Sequence, residues 1–101
     1  MNIIKSINNV PIRITDERWF HIIENHDDLS GYFDEILDTL EYPDFVIKGY
    51  SDAKIALRII RSNKYLAVVY KETSDIDGFL ITAYFTTKIN INSEEILWKK
   101  Q

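Results

Sequence analysis

Residues 15–26 read TDERWFHIIENH and hold both histidines of the chain and one of its two tryptophans. The start Thr15-Asp16-Glu17 sets a capping hydroxyl and two carboxylates at what would be the positive end of a helix dipole. On a helical wheel Trp19, Ile22, Ile23 and His26 fall at i, i+3, i+4 and i+7, one continuous face. Arg18 and His21, three apart, share a second face. The pattern predicts a helix from about Thr15 to Asn25 that buries its tryptophan and aligns an arginine and an imidazole beside it.

Working outward, residues 10–14 (VPIRI) alternate as a short strand would, and Pro11 suggests a place at a sheet edge. On the other side His26-Asp27-Asp28 is a polar break, with Asp28 or Ser30 available to cap a second helix. Tyr32, Phe33, Ile36, Leu37 and Leu40 then form a helical stripe, while Asp34, Glu35, Asp38 and Glu41 make the opposite, solvated face. Pro43 ends this second helix, because proline lacks the N–H and disfavours helical geometry before it.

Beyond Pro43 the period changes. Residues 45–50 (FVIKGY), 54–61 (KIALRIIR), 65–72 (YLAVVYKE) and 79–88 (FLITAYFTTK) are rich in β-branched and aromatic side chains. KIALRII also fits a helix. Ser51-Asp52, Ser62-Asn63 and residues 74–78 (SDIDG) supply turn chemistry between them. Connections this short join antiparallel neighbours. The expected fold is α+β: two N-terminal helices on one face of an antiparallel sheet of about four strands. Residues 90–101 are left for a last turn or strand, with Trp98 packing back.

The 101 residues suit one domain, 1–101, able to bury roughly 65% of its unfolded surface without staples. Cysteine is absent, which excludes disulfides, thiolate metal sites and a cysteine nucleophile. The start MNIIKSINNVPIR lacks a long apolar core, and no stretch approaches the ~20 apolar residues of a membrane span. A soluble cytoplasmic protein is expected. The net charge of −4 is unevenly spread. Residues 15–44 carry ten acids against one base, and residues 45–71 carry six bases against one acid, giving −9 and +5. An acidic side and a basic side are implied.

The three glycines form no phosphate-binding loop, and two histidines five apart on a helix diverge, so no metal or other cofactor is expected. The chemistry left over lies in Arg18, His21 and His26 on the first helix and in the strand 79–88. There Thr82, Tyr84 and Thr86 are expected on an open sheet face with Leu80, opposite a core face of Phe79, Ile81, Ala83 and Phe85. Lys54 and Arg58 project together from another strand. Such a face suits a phosphodiester: cations bind phosphate and tyrosine stacks on a base. A histidine titrating near neutrality can move the proton of a ribose hydroxyl. The matching reaction is RNA cleavage by 2′-hydroxyl attack. Against it, His26 on the tryptophan stripe also fits a half-buried helix end, exposed threonine and tyrosine are ordinary strand formers, and Arg18 can simply pair with an acid.

Ile14 to Ile22, with His26 five residues after His21, resembles the ERWxHIxxxH signature of a phage- and mobile-element-associated group of the barnase–EndoU–colicin–RelE nuclease superfamily. The resemblance continues through Tyr42-Pro43-Asp44, Tyr65-Leu66-Ala67-Val68-Val69 and Ile81-Thr82-Ala83-Tyr84. Asp27 and Asp28 stand where that group usually has proline and glutamate. The resemblance implies a barnase/RelE-like fold and a metal-independent endoribonuclease of the toxin or phage-effector kind. It aligns Arg18, His21, His26, Thr82 and Tyr84 with the group's motifs. The expected site has His21 or His26 as general acid/base, Arg18 on phosphate, and Lys54, Arg58, Thr82, Tyr84 and Thr86 along the groove. The expected partners are RNA and a cognate antitoxin or other protein. A non-catalytic interaction domain of the same fold is the alternative. Convergence of Arg18 and a histidine with Thr82 and Tyr84 on one cleft distinguishes the two.

Overall fold

In the computed structural model, which describes all 101 residues, seven strands and two helices follow one another. They are β1 (Asn2–Lys5), β2 (Pro11–Ile14), α1 (Asp16–Asn25), α2 (Phe33–Glu41), β3 (Phe45–Lys48), β4 (Lys54–Arg61), β5 (Lys64–Ser74), β6 (Asp77–Thr86) and β7 (Ile96–Lys99). Short 3-10 turns occupy Asp27–Leu29 and Ile91–Ser93. No helix is long and apolar enough to cross a membrane.

Every strand joins one sheet in the order β1-β2-β6-β5-β4-β3-β7. This overturns the expected pair of N-terminal helices on a four-stranded antiparallel sheet. β3 to β6 do pair as consecutive antiparallel neighbours. A hairpin of β1 and β2 precedes the helices, however, and β2 lies parallel to β6 through Ile12↔Gly78 and Arg13↔Phe79. At the far side β7 pairs antiparallel with β3. The physical reason is the edge: a four-stranded meander would leave β3 and β6 with bare hydrogen-bonding groups, and both ends of the chain cover them. Each covering segment is four residues long, and its distant pairing partner leaves no mark in the local sequence.

Pro11 is correspondingly in an inner strand, not at an edge. It is the first residue of β2, opposite Lys5, where a missing N–H is tolerated. α1 begins as its residue types require, with the Arg18 N–H donating to Thr15 Oγ1 at 3.0 Å. α2 starts differently from expectation. Residues 27–29 form a 3-10 turn, and the residue before α2 is Tyr32, without a side-chain cap.

The main core lies between the helices and the sheet. Ile12, Ile14, Ile22, Leu29, Ile36, Leu40, Val68 and Leu80 are fully or almost fully buried there. Each large aliphatic side chain so buried contributes about 1.5–3 kcal/mol relative to exposure. The opposite face is not open. Ile47, Leu57, Tyr65 and Ala67 form a second, smaller cluster, with Ile89 and Ile91 packed on it. The chain between β6 and β7 must cross that face to reach the edge beside β3, and it carries those two isoleucines.

Candidate functional site

The site is built where β2 ends. Its pairing with β6 stops at Phe79, and α1 also contacts β6. Trp19 anchors the helix by packing edge-on against Phe33 of α2, centroids 4.9 Å apart at 63°. At about 100° per residue, that contact turns the flank bearing Arg18, His21 and Asn25 away from α2. Arg18 is half-buried and His21 exposed. With Thr15 and Glu17 they line an open depression of about 280 Å³.

His26 ends the helix, its backbone N–H donating to the Ile22 carbonyl at 2.8 Å. Its half-buried ring lies 6.1 Å from the ring of Tyr84, the planes tilted by 36°. The helix motif and the late strand therefore meet at His26 and Tyr84. His21 lies about 140° around the helix from His26 and does not share that face.

Tyr84 belongs to the helix-free face, as do Thr82 and Thr86. Register proves it: Thr82 lies opposite Val69, Tyr84 opposite Ala67 and Thr86 opposite Tyr65, and those β5 residues oppose Ile55, Leu57 and Ile59 on β4. Leu80 is not with them. The β5–β6 register shifts between Val69 and Tyr70, leaving Ile81 unpaired, so that Leu80 opposes Tyr70 and enters the main core. A bulge is not legible in hydrophobic alternation, which explains the misplaced leucine.

Lys54 and Arg58 fall on the other face. They oppose Tyr70 and Leu66, both in the core beneath the helices. Lys54 Nζ is 3.1 Å from Glu72 Oε1, and Arg58 Nη2 donates to the Tyr42 carbonyl at 3.4 Å. Neither shares a groove with Thr82, Tyr84 or Thr86, which corrects the expected cation-lined strand face. One sheet cannot turn both sets to the same side, because the β4–β5–β6 register puts them on opposite sides of the pleat.

The cavity beside Tyr84 is instead lined by Lys48, Tyr50, Ile55, Ile89 and Glu94, with a volume of about 390 Å³. Burial pushes the Tyr84 phenol up, and the charge of Glu94 pushes it further in the same direction. The group is thus held neutral, as a hydrogen-bond donor. Glu94 carried no sequence signal for this position, since only the crossover from β6 to β7 brings it there, whereas Lys48 arrives at the end of β3. No three histidine, aspartate or glutamate side chains come together as a metal-binding cluster. The chain matches no known protein family, no curated protein and no solved structure.

Proposed function

We propose that this chain is a small ribonuclease-like domain of the toxin or phage-effector kind, cleaving RNA by attack of a ribose 2′-hydroxyl without a metal. The observation that carries the reading is the approach of His26 on α1 to Tyr84 on β6. An imidazole that can accept a proton and a phenol kept neutral by burial are the two groups such a transfer uses. His26 removes the 2′-hydroxyl proton as the new O–P bond forms. Tyr84 donates to a phosphoryl oxygen as charge builds on it. The bond to the 5′-oxygen breaks, and that oxygen leaves with a proton from solvent, so the products are a 2′,3′-cyclic phosphate and a 5′-hydroxyl. Arg18, on the neighbouring flank of α1, binds an adjacent phosphate. Lys54 and Arg58 have no part in this arrangement.

The test is cleavage of total RNA in EDTA by the purified chain beside its His26→Ala, Tyr84→Phe, Arg18→Ala and His21→Ala variants. Loss of cleavage in His26→Ala and Tyr84→Phe is the expected result. Cleavage unchanged in all four variants would remove the assigned site.

A second reading has its own support. The outer face of α2 exposes Asp34, Glu35, Asp38 and Glu41, which repel a polyanion. A non-catalytic domain that binds a protein through that face predicts a folded chain with no cleavage under any condition.

A further inference from the structure

β7 is the last strand of the sheet, with β3 on one side and no strand on the other. Residues 94–100 read EEILWKK: two acids, three apolar residues, two bases. Ile96 and Leu97 are 43% and 42% exposed. Leu97 is also the residue that the β3 register skips between Ile47↔Ile96 and Val46↔Trp98. Glu95 and Lys99 are exposed, and neither takes part in an ion pair within the chain.

This order of charges is self-complementary in one direction only. Laid antiparallel about Leu97, two such strands bring Glu94 opposite Lys100 and Glu95 opposite Lys99, twice over by symmetry. Laid parallel and in register, they bring acid beside acid and base beside base, which is unfavourable. The opposite edge of the sheet offers no such match, because β1 carries Lys5 and no acidic side chain. A bare edge strand is a template for further pairing unless charge or cover prevents it. Here the charges prevent pairing with a like-oriented copy and favour pairing with an opposed one.

The geometry points to a homodimer in which two copies of this chain join β7 to β7, antiparallel, about a two-fold axis near Leu97. The two seven-stranded sheets become one of fourteen strands. An isologous contact of this kind closes on itself and leaves no growing end at β7. It shares Glu94 with the cavity beside Tyr84 but does not depend on any activity there.

Sedimentation of the full chain tests the proposal, with Lys99→Glu and Glu95→Lys variants alone and mixed. At about 100 μM, above the micromolar Kd expected of so small an interface, the unaltered chain should sediment at twice its 11.9 kDa mass. Each swap alone sets like charges opposite each other and should weaken association by about tenfold or more. An equimolar mixture of the two variants restores every opposite pair and should dimerise again. In roughly 1 M salt, where the screening length falls to about 3 Å, the unaltered dimer should weaken. A monomer at the first concentration overturns the proposal. So does a dimer indifferent to both swaps and to salt, or a mixture of natively folded variants that stays monomeric.

Discussion

The rings of His26 and Tyr84 lie 6.1 Å apart, one at the end of α1 and the other on β6, 58 positions later in the chain. β2 pairs with β6 only at Gly78 and Phe79, and the helix that follows β2 also contacts β6. If the pair acts as a unit on RNA, its effects are not additive. His26→Ala should lower the cleavage rate by about 10²–10⁴-fold and Tyr84→Phe by about 10²-fold. The double variant should be little worse than His26→Ala. A double-mutant cycle on single-turnover rates measures this, and strictly multiplicative losses would show that the two residues act separately.

Glu72 joins the N-terminal hairpin to the sheet and makes stability depend on pH. Burial pushes its carboxyl up, but hydrogen bonds from Ser6, Asn8 and Lys54, with the charge of Lys54, more than offset this and leave it lowered. A depressed folded-state pKa stabilises above the unfolded value, about 4.3 for glutamate, and that contribution is lost as pH falls through the folded value. Urea midpoints should therefore fall on acidification below that point. Glu72→Gln should be less stable at neutral pH and show a shallower acid dependence. An equally steep profile in Glu72→Gln would assign the acid sensitivity to other carboxylates.

Tyr70 is fully buried, and its hydroxyl has no protein partner. Burial, and then the charge of Glu72, push the phenol upward, so the neutral form is favoured. Removing an unpartnered hydroxyl removes little. Tyr70→Phe should change the unfolding free energy by no more than about 1 kcal/mol in either direction, whereas Tyr70→Ala should cost about 3–5 kcal/mol. Denaturant unfolding of both variants checks the contrast. A large loss in Tyr70→Phe would reveal a partner for the hydroxyl.

Gly78 marks the crowded junction of three strands. It pairs with Ile12 on β2 and Glu72 on β5. A Cβ there would come within 2.5 Å of the Lys71 carbonyl oxygen and 2.6 Å of Ile12 Cδ1. The first contact is backbone and cannot simply swing aside. Gly78→Ala should destabilise by about 1–3 kcal/mol. Because the parallel β2–β6 pairing is short, hydrogen exchange should speed up first in β1 and β2. Uniform loss of protection would mean that the hairpin does not open independently.

Much of this architecture was legible residue by residue. Thr15 and the Trp19–Ile22–Ile23–His26 stripe specify α1, and the Phe33–Ile36–Leu40 stripe with Pro43 specifies α2, because a 3.6-residue period and its caps are local properties of the chain. The strands β3 to β6 and their turns were legible as runs rich in β-branched and aromatic side chains with short connections. β2 was read as a short strand from its alternation but set at an edge, β7 was left as a last turn or strand, and β1 was not read, since pairing partners far apart in sequence leave no local mark. The site divides in the same way. Arg18, His21, His26, Thr82 and Tyr84 could be picked out by residue type, but whether they meet is a matter of register. The sequence by itself determined the two helices, the strand-rich second half and which side chains have chemistry to offer. Only the tertiary structure decided that His26 reaches Tyr84 while Lys54 and Arg58 turn to the other face. A single bulge at Ile81 and a helix set against a strand edge act over distances that no local pattern encodes.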